Sequence, residues 1–473
     1  MTPPDPTAGP TGSASSSGSD DAAPSRFSSL LERVGLHRPE LRAWAWYDWA
    51  NSAFMLTVLT TIYPIYFTEV AASHLDETVA TRRHAWVLAI AAGAIALAAP
   101  VLGALADYLG IKKRLLGVFL GIGAAATASL WFVHEGDWLL AATLFGIAHL
   151  GAQGSIVFYD SLLPHVARDD EEMDRVSTSG YAVGYFGSSL LLILQIAWTR
   201  WPEAFGLPGG DAEPSTVPVR LAFVSVAVWW VLFSIPLFRR VSEPPRQIEP
   251  DEVPHGDPFR VAIDRLKETF GEIRHYRNTV LMLIAFLIYN DGIGTIIKMG
   301  TIYGAELGID TTVMIVAVLA IQIVGVPFAF LFGALAGVIG PKRAILLGLT
   351  VYVGITSFAY FMTTATHFVV LAILVGLVQG GTQALSRSLF ASMIPRHKSS
   401  EFFGFFAVLA KFSGVFGPLF FAIASQTTGS SRQAILTVIV FFVVGGALLW
   451  RVDVEEGRAA ARAADRGVRP VSE

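Results

Sequence analysis

Residues 103–113 read GALADYLGIKK, and 230 residues further on residues 333–343 read GALAGVIGPKR. Gly103, Leu105, Gly110 and Lys112 thereby return as Gly333, Leu335, Gly340 and Lys342. In a chain of 473 residues, a repeat at that distance divides the sequence into two like parts. Each copy lies between two long apolar runs, and each ends in a basic turn. A second echo is the pair Pro164 and Pro395, 231 apart, each closing the fourth apolar run of its part.

The apolar runs themselves are each about 20 residues long, enough to cross a hydrocarbon core of about 30 Å as a helix. Spans are expected near 44–67, 84–107, 113–133, 138–161, 180–199, 219–238, 279–304, 313–337, 343–363, 367–390, 403–424 and 433–450. The long polar interruption at 239–277 holds 8 of the 34 Lys and Arg and separates six spans from six. The expected organisation is a tail over 1–43, a half over 44–238, a linker over 239–278, a half over 279–450 and a second tail over 451–473. Two six-helix halves around a charged linker suit a two-lobed carrier. Composition agrees: 53% of residues are hydrophobic, 15% are charged and the mean hydropathy is +0.54. A soluble domain carries about 25% charged residues, so lipid is the solvent for most of this chain.

The same numbers exclude other classes. A formal charge of −4 lacks the basic excess of a nucleic-acid binder. With no cysteine, thiol catalysis, disulfides and cysteine-held metals are ruled out. No HExxH or Walker lysine loop is present, so no metal, nucleotide or other cofactor is expected, and the chain does not read as an enzyme. Residues 1–25 have the composition of a disordered tail, and Phe27, Leu30, Leu31 and Val34 suit a short amphipathic helix on the membrane surface. If the N-terminus is cytoplasmic, 26 of the 34 bases fall in inner segments and 5 in outer loops, which leaves Lys298, Arg387 and Lys411 in the spans. The positive-inside rule then puts both termini in the cytoplasm.

GALADYLGIKKR resembles the loop motif between the second and third helices of the major facilitator superfamily. By that resemblance Gly103 and Gly110 allow close helix approach, while Asp107 and the basic run Lys112, Lys113 and Arg114 latch the cytoplasmic face. Gly337 stands where the second copy would place the acid. Three further segments, WAWYDWANSAF at 44–54, YNDGIGTI at 289–296 and GLVQGGTQALSRSLFASMIP with EFFGFFAVLAKFSGVFGP at 376–395 and 401–418, resemble the vacuole effluxer family of that superfamily. The resemblance covers all twelve spans. It implies an all-α membrane protein of the major facilitator fold, with twelve transmembrane helices in two six-helix halves. It also implies export of amino-acid-like solutes.

Charged side chains inside a bilayer cost about 2.5–3.5 kcal/mol each on insertion scales, so those present mark a wet cavity or a partner. Two of the three Asn, Asn51 and Asn290, sit in the opening spans of the halves beside Asp48 and Asp291. Asp48 reads either as a site acid sharing a face with Asn51 or as a helix N-terminal acid favoured by the macrodipole. Asp291 lies about a dozen residues into its span. With Lys298 two turns on and Lys411 in the eleventh span, it reads as a proton or substrate site or as a structural salt bridge. Gln379, Gln383 and Arg387 step by four into one polar stripe, with Arg387 either snorkelling or pairing with an acid at the gate. Gln153 reads as an interhelical hydrogen-bond partner, and Asp160 as a partner of Arg168 or Arg175 at the inner gate. The acidic run Asp169 to Glu172 reads as a solvated loop. Trp44, Trp46, Tyr47 and Trp49 read as interface anchors or as a cavity wall. Gly292 and Gly294 permit either a break in the seventh span or close packing.

The function expected is secondary active transport of a small polar solute by alternating access, with amino-acid-like efflux, coupled to protons, by a monomer in the plasma membrane. Uptake of sugars or nucleosides, lipid flipping, and a transport-inactive sensor or scaffold are the competing readings.

Overall fold

The computed structural model describes residues 26–209, 215–248, 257–271, 274–414 and 416–470. Twelve helices in it are long and apolar enough to cross a membrane: Pro39–Ala71, Glu77–Leu109, Lys112–Phe132, Trp138–Val166, Asp170–Arg200, Val217–Arg240, Arg277–Gly300, Thr312–Ile339, Pro341–Tyr360, Ala365–Ser392, Arg396–Thr428 and Ser431–Arg451. They are numbered here as the first to the twelfth span. Each expected span is found, with ends that differ by up to about ten residues. The protein is an all-α membrane protein of the major facilitator fold. Its sole sheet among the described residues pairs Gln247–Ile248 with Arg469–Pro470.

The repeated motif forms the same local structure twice. Gly110 (φ +64°) ends the second span and Gly340 (φ +85°) ends the eighth, both in backbone that a side chain disfavours. The basic turn then ties down a partner helix in each half. Lys113 Nζ donates to the carbonyls of Phe238 and Val241 at the end of the sixth span. Lys342 Nζ donates to those of Trp450 and Val452 at the end of the twelfth, at 2.7 and 2.8 Å. A cation on orphan C-terminal carbonyls satisfies both hydrogen bonding and the helix dipole.

The motif glycines also set the seams between halves. A Cβ on Gly103 would lie 2.2 Å from the Ser400 carbonyl oxygen of the eleventh span, and one on Gly333 would lie 2.2 Å from Thr178 Oγ1 of the fifth. Second against eleventh and eighth against fifth are thus equivalent contacts, each made possible by the missing side chain. Within each half the buried apolar residues form a separate core, and Phe390, Phe402 and Phe403 reach across from the second half into the first.

Four features depart from the expectations. The fifth span begins at Asp170, and the acidic run is its capped first turn: Asp169 Oδ1 accepts the Glu172 N–H at 2.8 Å, and buried Glu172 binds Arg38 at 2.5 Å. Acids at a helix N-terminus are stabilised by the dipole, so the run is not a solvated loop. The linker contains a helix, Pro258–Gly271, whose Ala262 packs on Ala104 and Leu105. The seventh span is a continuous helix through Gly292 and Gly294, where a Cβ on Gly292 would meet Phe441 and Phe442 at 3.0 Å. The break falls in the eleventh span, between Ser399–Phe412 and Phe416–Thr428, at Gly414 with φ +116°. The expected tail over residues 1–25 lies outside the described residues; the short helix follows it at Arg26–Arg33.

Candidate functional site

Three polar groups lie along the interface between the halves. The end of the bundle that carries the motif turns and both tails is called the basic end.

At that end, Asp107 is buried beside Lys112 at 2.7 Å. Its two carboxylate oxygens also accept the backbone N–H groups of Ser400 (3.2 Å) and Glu401 (2.9 Å), the open first turn of the eleventh span. Lys112 Nζ completes the contact by donating to Ser399 Oγ at 2.6 Å, and it lies 3.1 Å from His165 Nε2. An acid of one half thus caps a helix of the other. The second copy has Gly337 instead, and the fifth span it faces is capped by its own Asp169. Lys113 N–H reaches Glu243 at 3.0 Å, and Arg114 is exposed. Glu401, also buried, has both carboxylate oxygens without a hydrogen-bond partner among the described residues.

One layer deeper, Arg387 of the tenth span is buried between two acids of the first half. It binds Asp48 Oδ2 of the first span at 3.0 Å and Asp160 Oδ1 of the fourth at 3.2 Å. Its remaining donors go to Ser177 Oγ (2.9 Å) and the Ser177 carbonyl (3.0 Å) on the fifth span. The guanidinium sits 4.7 Å from the ring centres of both Trp44 and Tyr181, and Trp44 stacks on Tyr159 at 4.4 Å. Gly180 makes room for this cluster, since a Cβ there would lie 2.3 Å from Asp48 Oδ2.

These placements settle several open readings. Arg387 pairs with acids rather than snorkelling. Asp160 binds Arg387, not Arg168 or Arg175; Arg175 pairs with Glu171 on its own helix. Asp48 is an ion-pair partner across the halves, beyond a helix-end acid. Fully buried Trp44 and Tyr47 wall the cluster rather than anchoring an interface, whereas Trp46 is exposed and stacks on Phe233 at 5.4 Å. Asn51 is buried but takes no part in the cluster's hydrogen bonds.

The third group centres on the break in the eleventh span. Buried Asp291 accepts the N–H groups of Gly414 (2.7 Å) and Gly417 (3.0 Å), capping the helix that resumes at Phe416. Pro418, which has no N–H, falls in that helix's first turn, where a donor would be surplus. Asn290 Nδ2 donates to Ser413 Oγ at 2.5 Å, and Gln383 Nε2 donates to Asn290 Oδ1 at 2.6 Å. Lys298 Nζ is 3.2 Å from where a Cβ on Gly414 would stand. Lys411 donates to Gln153 Oε1 of the fourth span, so this group too joins the halves. Gln379, one turn from Gln383, has a buried Oε1 with no partner among the described residues. The expected meeting of Asp291, Lys298 and Lys411 is therefore altered: Asp291 is held by backbone donors, and Lys411 by an amide of the other half.

Sequence reasoning passed over Ser177, Ser399, Ser400, Tyr159 and Tyr181. Their residue types carry no signal until the helices are placed. The break could have been found, since SGVFGP sets two glycines and a proline within six residues.

The profile of the family described as "Vacuole effluxer Atg22 like" matches residues 84–462. The chain belongs to that family. It is 36% identical over 411 residues to the MFS-type transporter YxiO of Bacillus subtilis, covering 86% of this chain and 93% of that one. It is 27% identical over 315 residues to autophagy-related protein 22 of Yarrowia lipolytica, covering 61% of this chain and 51% of that protein. The fold is similar to that of the proton:xylose symporter XylE (TM-score 0.63, 14% identity, 91% of this chain and 99% of that one). It is also similar to that of the E. coli fucose:proton symporter FucP (TM-score 0.62, 14% identity, 90% and 99%). This vacuole effluxer family member is accordingly a multi-pass membrane transporter of the major facilitator type, with a small-molecule substrate.

Proposed function

We propose that the protein exports amino-acid-like solutes by alternating access, driven by protons, with residues 44–238 and 279–450 as the two rocking bodies. The observation that carries this reading is the buried cluster of Arg387, Asp48 and Asp160, which joins the halves through three spans. Two carboxylates, the buried Asp160 and the partly buried Asp48, face one buried guanidinium, so the cluster carries an excess negative charge largely removed from water. Buried charge of that kind is costly unless neutralised. A proton on Asp160 neutralises the cluster and loosens its hold on Arg387, which links proton binding to separation of the halves at the basic end.

The break in the eleventh span supplies the substrate site in this reading. An ammonium on Lys411 and the amides of Asn290 and Gln383 lie beside the break and complement a substrate carboxylate, while Asp291 holds the broken helix in place. In carriers a discontinuous helix can present its N-terminal donors to a substrate carboxylate, and at this break Asp291 holds those donors. Family membership supports the direction, export. The excess of bases at the basic end supports a cytoplasmic location for that end and both termini, and a plasma-membrane site in a bacterial cell. A single copy contains both groups, which supports a monomer.

Purified protein in liposomes, tested for counterflow of a labelled amino-acid mixture and of labelled xylose, separates the substrate classes. Saturable amino-acid counterflow that increases with an imposed pH gradient supports the proposal. Xylose counterflow alone would overturn it.

A further inference from the structure

We infer that a cavity at the basic end, outside the transport pathway, binds a phosphate-bearing anion. The cavity has a volume of about 590 Å³ and is lined by Arg168, Arg396, Arg462 and Arg466. Arg168 follows the fourth span, Arg396 begins the eleventh, and Arg462 and Arg466 lie on the C-terminal helix Val454–Arg466. Both halves and the C-terminal helix therefore contribute to one wall.

The charges around it are unbalanced. Three acids also line the cavity, and each is engaged elsewhere. Asp169 caps the fifth span, Asp170 pairs with Arg458 at 3.0 Å, and Asp465 accepts from the Arg396 backbone N–H at 2.9 Å while lying 2.9 Å from His397 Nδ1. None of the four lining guanidiniums makes an ion pair or hydrogen bond among the described residues. Arg458, Arg462 and Arg466 recur at every fourth residue, so one helical face presents a ladder of guanidiniums whose first member fixes the helix to the first half.

Guanidinium forks match the oxygens of phosphate in pairs, and clusters of them are the usual means of holding phosphorylated ligands. A single inorganic phosphate would fill little of this volume. A diphosphate or an anionic lipid headgroup suits it better, and basic pockets on the cytoplasmic side of membrane proteins take such headgroups. An anion held there bridges Arg168 of one half and Arg396 of the other, and so holds the basic end closed.

The test uses the full chain and follows thermal unfolding by tryptophan fluorescence. One arm titrates pyrophosphate against sodium chloride of equal ionic strength in detergent. The other compares nanodiscs of phosphatidylcholine with nanodiscs containing phosphatidylglycerol. A saturable rise in Tm is expected, with affinity at least tenfold weaker in Arg462→Gln/Arg466→Gln and in Arg168→Gln/Arg396→Gln, whose exposed positions tolerate substitution. A response to pyrophosphate alone assigns a soluble anion, and a response to phosphatidylglycerol alone assigns a headgroup. No response in either arm beyond the salt control, or an affinity in both variants equal to that of the unsubstituted protein, overturns the inference.

Discussion

Asp107 of the second span accepts the backbone N–H of Glu401, at the start of the eleventh, at 2.9 Å. The loop motif of one half is thereby the N-terminal cap of a helix in the other. A cap of this kind is worth about 1 kcal/mol, and it exists only while the halves are together at the basic end. In the proposed alternating-access cycle it is a contact that favours the state closed at that end.

Replacing Asp107 with Asn removes the ion pair as well as weakening the cap, and leaves Lys112 as a buried unpaired cation. Breaking one side of a buried pair costs about 3–5 kcal/mol, so a marked fall in Tm is expected for Asp107→Asn. Adding Lys112→Met should restore much of it. A double variant no more stable than the single one would show that the pair is not what holds this contact.

The two motif glycines predict matched defects. Gly103→Ala and Gly333→Ala each place a Cβ 2.2 Å from an oxygen of the opposite half. Overpacking of this sort costs about 1–3 kcal/mol and falls only on the closed seam. Both variants should express and bind substrate yet lose transport rate, measured as initial counterflow in liposomes. Wild-type rates in either would mean that its seam is looser than described.

At the deeper cluster, Arg387→Met leaves Asp48 and Asp160 without their cation, at a cost of about 3–5 kcal/mol. The triple variant Asp48→Asn/Asp160→Asn/Arg387→Met removes all three charges together. It is expected to regain stability while its transport no longer responds to a pH gradient. Retention of a gradient response in the triple variant would place the coupling proton elsewhere, with Asp291 as the next position to test.

Asp291→Ala takes the cap from the second segment of the eleventh span, a loss of about 1–2 kcal/mol. Hydrogen exchange should show faster opening at Gly414 and Gly417, with the first segment, Ser399–Phe412, unaffected. Unchanged exchange at those two amides would contradict the capping role.

The twelve spans were legible because the bilayer demands an apolar run of nearly fixed length, and that demand is written locally. The Asp107 latch was legible because its residues lie within one motif. Partners far apart in sequence were not. Asp160 has Arg168 and Arg175 nearby in the chain, yet it binds Arg387, 227 residues away, because the fourth and tenth spans meet across the halves. Trp44 and Tyr47 read as interface anchors from their place near a span end, and only the packing of the fourth and fifth spans around them shows that they line a charged cluster. Gly292 and Gly294 permit either a break or close packing, and the structure shows close packing of Gly292 against the twelfth span. The break at Gly414 depends on Asp291 being placed to receive the freed N–H groups, a tertiary fact.

The central claim is that the Arg387 cluster controls separation of the halves at the basic end, and it can be measured as a distance. The chain has no cysteine, so spin labels at Arg114→Cys and Arg343→Cys, exposed positions near the motif turns of the two halves, need no prior substitutions. Double electron–electron resonance on this pair should give one dominant short distance in the otherwise unaltered protein. Adding Asp48→Asn/Asp160→Asn should populate a longer one. Distance distributions that superimpose with and without the two substitutions would contradict the account.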